Sequence, residues 1–127
     1  MPRILAALLA LCLPLAAVAE PIAVRPSAVS TVDGDTIRVS IRLVGYDTPE
    51  VTRPRCAEEA SLGAEAERAL HAIIRSARTL TIDILPHSDR YGRLLATLIA
   101  DGQDVGDTLT AMGLARPYDG GTRQGWC

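Results

Sequence analysis

The clearest periodicity in the chain lies between Thr36 and Val44, where Ile37, Val39, Ile41 and Leu43 alternate with Arg38, Ser40 and Arg42. Successive side chains of a strand point to opposite faces, so this pattern predicts a strand with one apolar face on a core and Arg42 on the other face. Upstream, Ala28 to Val32 reads as a strand that ends in Asp33-Gly34, a dipeptide suited to a tight hairpin turn. Beyond Gly45 the alternation stops, and the polar stretch with Pro49 and Pro54 predicts a loop as far as Arg55. The period then changes. Leu62, Ala66, Ala69, Leu70, Ile73 and Ala77 recur at helical spacing, with Glu65, Glu67, Arg68 and Arg75 on the opposite side, which predicts an amphipathic helix.

Leu80, Ile82 and Ile84 alternate again as a strand, Pro86 to Gly92 reads as a polar turn, and Leu94 to Ala100 is a second apolar run, together a hairpin. Asp101-Gly102 turns the chain once more. Asp104 is placed to cap a short helix carrying Leu109 and Met112 and stopped by Gly113. The rest, Leu114 to Cys127, is Gly-rich. Strand, strand or hairpin, helix, hairpin and short helix in this order define a small α+β domain, compatible with a barrel carrying helices; periodicity does not separate an oligonucleotide-binding type barrel from other small α+β folds.

The first residues change the picture of where this domain works. Arg3 precedes an apolar run from Ile4 to Val18 that ends in the small-residue site Ala17-Val18-Ala19, the pattern of a secretory signal peptide. The run is shorter than the roughly 20 apolar residues of a spanning helix and Pro14 interrupts it, so we expect removal of residues 1–19, an exported or periplasmic domain over residues 20–127, and no remaining membrane anchor. Cys12 leaves with the leader. Cys56 and Cys127 then remain in an oxidising compartment, where a single disulfide is the natural pairing and two buried thiols the alternative. Closing a loop of that length contributes up to about 4 kcal/mol in the chain-entropy picture.

Charge narrows the function classes. The chain has a formal net charge of −2 with 13 Lys plus Arg against 15 Asp plus Glu, and every one of those cations is arginine. A coat that holds nucleic acid by counterion release is strongly basic, so any contact with phosphate here is local and made by a few arginines. Three loops concentrate charge: Asp33-Gly34-Asp35-Thr36, Asp47-Thr48-Pro49-Glu50 and Asp89-Arg90-Tyr91-Gly92-Arg93. Each alone has a structural explanation as a turn or a helix start. Each also lies at the end of a predicted strand, where loops on a rigid scaffold converge. His71 and His87 have no second histidine at a ligand spacing, which argues against zinc, and Trp126 is a candidate cover for the barrel edge.

Taken in order, Val-Asp-Gly-Asp-Thr, Ile-Arg-Leu-Val-Gly-Tyr-Asp-Thr-Pro-Glu and Asp-Arg-Tyr-Gly-Arg-Leu-Leu, with a helix between the second and third, closely resemble the staphylococcal nuclease family from about Ala28 to Tyr118. The resemblance implies a five-stranded oligonucleotide-binding type barrel with helices, a bound Ca²⁺, and hydrolysis of DNA or RNA phosphodiesters, preferentially single-stranded, by a monomer. It puts Asp35, Asp47 and the Thr48 carbonyl on the metal, makes Glu50 the general base, sets Arg42 and Arg93 on the scissile phosphate, and places Tyr91 and Tyr118 against the nucleotide. The chemistry suits those residue types: a phosphodiester anion repels its nucleophile, and guanidinium forks and a cation offset the charge gathered in the transition state. A silent barrel that binds single strands or a protein is the alternative.

Two departures stand out. In the family a hairpin separates the Asp-Gly-Asp-Thr motif from the arginine, whereas here only Thr36 to Ile41 intervene. Either a very tight turn near Val39-Ser40 joins two strands, which we expect because all the named residues survive, or one strand replaces two and displaces Arg42 or Asp35. The family's prototype also continues into a further helix where this chain ends in Gly125-Trp126-Cys127. A bond from Cys127 to Cys56 could substitute for it.

Overall fold

The structure is a computed structural model that describes residues 21–127. The expected leader, with Arg3 and Cys12, lies outside the described residues. Among the described residues no helix is long and apolar enough to cross a membrane.

The domain is α+β. A short 3₁₀ turn, Pro26–Ala28, leads into β1 (Val29–Thr31) and β2 (Ile37–Val39), which pair antiparallel across the Asp33-Gly34 turn. β3 (Ile41–Leu43) and β4 (Gly45–Asp47) follow, then α1 (Ala57–Ser76), β5 (Leu80–Ser88), β6 (Leu94–Ala100), β7 (Gln103–Asp104), α2 (Val105–Ala111) and β8 (Arg116–Tyr118). β6 is the central strand: β3 runs parallel to it on one side, β5 antiparallel on the other, and β7 pairs antiparallel with its far end. β4 and β8 form a separate antiparallel pair. The hydrogen-bonded ladders among the described residues fall into three sheets, an α+β arrangement consistent with the oligonucleotide-binding type fold that the resemblance implies.

The core sits where β6 and α2 meet α1. Ala96, Leu98 and Ala100, alternate residues of β6, are buried, as its period of two requires. Val105 and Leu109, each 1% exposed, bring one face of α2 into a cluster with Leu98 and Ala100, which Tyr46, Ala66, Leu114 and Ala115 complete. Burying a side chain of that size contributes about 1.5–3 kcal/mol. α2 begins as expected, since Asp104 Oδ1 accepts from the amides of Gly106 and Asp107 at 2.7 and 3.2 Å.

Several expectations need correction. No tight turn occurs at Val39-Ser40: β2 and β3 are one extended run interrupted at Ser40, whose amide donates to the Ala28 carbonyl at 2.8 Å. One run replaces two strands because its first half pairs with β1 and its second half with β6. Its apolar face is consequently core only at one end: Leu43 packs against the core cluster, while Ile37 is 59% exposed, and Leu80, Ile82 and Ile84 of β5 are exposed as well. The expected Pro86–Gly92 turn shrinks to residues 89–93, because β5 continues to Ser88 through a register shift after Ile84, and Pro86 is tolerated there on an edge strand. The expected loop from Gly45 starts with a strand, β4, whose partner β8 lies in the Gly-rich C-terminal stretch.

Candidate functional site

Arg42 and Arg93 meet through the parallel ladder. Ile41 lies opposite Leu94 and Arg42 opposite Leu95, so Arg93, one residue before β6, stands beside the start of β3. The turn that delivers Arg93 is organised by Asp89, whose Oδ1 accepts from the amides of Tyr91 and Arg93 at 2.9 Å each and whose Oδ2 accepts from Arg93 Nε at 2.7 Å. Desolvation works to raise the Asp89 pKa, and the backbone and side-chain hydrogen bonds from Arg93, with that from Tyr91, more than offset it, so it lies below the ordinary carboxylate value. Only Nε of Arg93 is engaged, which leaves both Nη groups without a protein acceptor among the described residues. Arg90 Nη2 donates to Tyr91 Oη at 2.7 Å, and its guanidinium lies 4.8 Å from the ring centroid.

Arg42, Glu50, Tyr91, Arg93, Tyr118 and Arg123 all face one open cleft of about 1340 Å³. Tyr118 reaches it because β8 pairs with β4 in a register that sets Tyr118 opposite Gly45 and Arg116 opposite Asp47. Arg42 is steadied by its Nη2, which donates to the Tyr46 carbonyl and to Asp47 Oδ1, both at 3.4 Å. Thr48 opens onto a smaller adjoining cavity of about 320 Å³ that Arg42 and Arg93 also border.

The loop carrying Asp47 and Glu50 is anchored on α1. Gly63 lets the helix approach so closely that a Cβ there would lie 2.9 Å from the Glu50 carbonyl oxygen and 3.1 Å from that of Pro49. Glu59, 4% exposed, accepts from the Glu50 amide at 3.4 Å through Oε1 and from the Arg55 amide at 2.6 Å through Oε2. A buried carboxylate thus ties both ends of the loop to one helical turn. Cys56 caps the same helix, its sulfur accepting from the Glu59 amide, and is bonded to Cys127, with Cα atoms 5.9 Å apart.

That disulfide ends a strap, residues 119–127, which turns back at Gly120 and Gly121, both at positive φ. Tyr118 Oη donates to the Gly121 carbonyl and Arg116 Nη1 to that of Gly125, each at 2.8 Å, and the Arg116 guanidinium stacks 3.7 Å from the Trp126 ring centroid. Between these fastenings Arg123 reaches into the cleft. Its Nε lies 3.3 Å from Asp47 Oδ1 and its Nη1 donates to Glu50 Oε1 at 2.8 Å. Burial opposes the charge on Arg123, but Asp47 and Glu50 outweigh it and hold its pKa above the ordinary arginine value.

Asp35 is not brought to this site. It sits in the exposed β1–β2 turn, where among the described residues its carboxylate accepts only from Thr36 Oγ1 at 3.1 Å and its amide donates to Asp33. Asp47 and Glu50 converge without it, and among the described residues no group of three or more His, Cys, Asp or Glu could hold a metal ion. Hard oxygen donors suit calcium, which takes six to eight of them. Here the space between Asp47 and Glu50 belongs to a guanidinium and the other expected carboxylate ligand, Asp35, stands elsewhere, so as arranged the residues do not fit a Ca²⁺ site.

The fold and this rim define a nuclease-like domain. The family model of staphylococcal nuclease homologues matches residues 40–124, and the chain belongs to that family. The match takes in Arg42, Asp47, Thr48, Glu50, Tyr91, Arg93, Tyr118 and Arg123, and begins beyond Asp35. Among curated proteins the chain is similar to SPbeta prophage-derived endonuclease YokF of Bacillus subtilis (strain 168), 37% identical over 93 residues that cover 67% of this chain and 31% of that protein. It is also similar to Endonuclease YncB of the same organism, 36% identical over 93 residues covering 67% and 44% respectively. The chain thus spans less than half the length of these relatives.

Reading the residues alone missed Glu59 and Arg123. Glu59 had a signal: it stands three residues after the helix-capping Cys56, as in a capping box. Arg123 had none, since nothing local to a Gly-rich terminus tells where it will land.

Proposed function

We propose that this chain hydrolyses phosphodiester bonds of DNA or RNA as an endonuclease, and that its single strands lie in the cleft between the 89–93 turn and the strap. The observation that carries this is the joint placement of Arg42, Arg93 and Glu50 on one cleft by the parallel β3–β6 ladder and the α1-anchored loop. In this reading Glu50, 50% exposed in its side chain, removes a proton from water as the water oxygen bonds to phosphorus and the ester oxygen leaves. Arg93 offers its Nη groups to the phosphate, Arg42 adds a second fork, and both stay charged at any working pH. Tyr91 and Tyr118, both lining the cleft, offer their rings to the bases. The open cleft suits a flexible strand held by a monomer. The disulfide, together with the apolar leader, fits an exported protein.

A calcium requirement belongs to this reading as the family's habit; it calls for Asp35 to close on Asp47 and for Arg123 to withdraw. The separate position of Asp35 is the observation that favours the silent-barrel alternative. The test is cleavage of a fluorescently labelled single-stranded DNA by the purified chain, with Ca²⁺ and with EDTA, beside Glu50→Gln. Cutting by the wild type that disappears in the variant supports the enzyme, and the EDTA arm reads the calcium requirement. A folded protein that binds the strand and leaves it whole is the silent barrel.

A further inference from the structure

Asp47 Oδ1 already takes part in two ion pairs, with Arg42 Nη2 at 3.4 Å and Arg123 Nε at 3.3 Å, while Glu50 Oε1 accepts from Arg123 Nη1 at 2.8 Å. One planar guanidinium therefore spans the buried carboxylate of Asp47 and the carboxylate that Glu50 presents to the cleft. Its position is built. The strap that carries it is covalently closed at Cys127, turned at Gly120 and Gly121, and hydrogen-bonded at Gly121 and Gly125. The Tyr118 ring lies 5.7 Å from the Arg123 guanidinium and borders its site.

We infer that Arg123 is the resident cation of the Asp47–Glu50 pair, delivered by the Cys56–Cys127 strap, and that a divalent cation and Arg123 exclude one another there. The physical reason is coordination. Calcium binds oxygen at about 2.3–2.6 Å, inside the space the guanidinium nitrogens occupy, and a dication beside Arg42 and Arg123 on one carboxylate is repelled by both. Arg123, together with Arg42, thus balances the two carboxylates at any working pH without a metal, and it sets a threshold that an incoming dication must overcome. Arg123 is a positioning residue: it acts through Asp47 and Glu50. The inference rests on the assignment of those two residues to the site, but not on cleavage.

Calorimetric titration of the purified, oxidised chain with CaCl₂ tests it. Arg123→Gln, which removes the charge and keeps part of the length, is expected to bind Ca²⁺ about tenfold or more tightly than the wild type. Adding Asp47→Asn to that variant is expected to abolish the gain. Equal affinity in wild type and Arg123→Gln, no binding by either, or a gain that survives Asp47→Asn overturns the proposal. Should Arg123→Gln fail to fold, Cys127→Ser frees the strap without touching either carboxylate: tighter binding then upholds the inference, and unchanged binding overturns it. Cleavage is not read in this experiment, so a negative result leaves the nuclease reading to its own test.

Discussion

Two acidic loops that look alike in sequence have opposite fates in this molecule. Asp33-Gly34-Asp35 and Asp47-Thr48-Pro49-Glu50 each place two carboxylates near a strand end. The first is an exposed hairpin turn whose hydrogen bonds stay within Val32 to Thr36. The second is pressed on α1 at Gly63, tied by Glu59, and charge-balanced by Arg42 and Arg123. Carboxylate spacing is therefore a poor guide to a site; the number of distant elements that fasten a loop is a better one.

The contrast is open to attack at both ends. Its largest expected effect is in Glu50→Gln, which keeps shape and removes the base: turnover on single-stranded DNA should fall by about 10²–10⁴-fold with the melting temperature nearly unchanged. Activity close to wild type would leave the anchored loop without a catalytic role. Arg93→Lys removes the planar fork while retaining the charge, and a loss of about 10²-fold in kcat is expected from steady-state kinetics. Gly63→Ala attacks the anchoring itself. With backbone oxygens 2.9 and 3.1 Å from the new Cβ, the loop or the helix must shift, at a cost of about 1–3 kcal/mol by denaturant unfolding, and cleavage should fall with it. Full activity in a stable Gly63→Ala variant would show that the loop tolerates displacement.

Acid should loosen the turn that holds Arg93. Asp89 has a folded pKa below its ordinary 3.8, so its contribution to stability is complete above that value and is lost as pH falls through the lower, folded one. The difference in melting temperature between the wild type and Asp89→Asn should hold steady above about pH 5 and shrink below about pH 3.8. A difference that grows on acidification would reverse the sign of the argument. The smallest effect on the fold is expected in Asp35→Asn: stability within about 0.5 kcal/mol of wild type by denaturant unfolding, because its contacts are local and exposed. A large loss of calcium-dependent cutting in that variant would mean that the β1–β2 turn closes on Asp47 during catalysis, and the two loops would then be partners.

Much of the architecture was legible because local physics governs it. The helical period from Leu62 to Ala77, the apolar run from Leu94 to Ala100 and the Asp104 cap each depend on neighbours close in the chain, and each appears in the structure. The pairing of Cys56 with Cys127 was legible from cysteine count and an expected oxidising compartment. The strand from Thr36 to Val44 was legible as extended chain, but its division at Ser40 was not, because the partners that divide it, β1 and β6, come from opposite ends of the domain.

By itself, then, the sequence determined the elements, the three charged loops, and the residue types that suit phosphate chemistry, since periodicity, turn preference and charge are properties of short segments. Only the tertiary structure decided which of those residues share a cleft. The parallel register of β3 on β6 joins Arg42 to Arg93, the close approach at Gly63 seats Glu50, and the disulfide carries Arg123 across the fold to Asp47. Those are contacts between residues far apart in the chain, whose geometry is set by packing and covalent closure, and no local pattern encodes it.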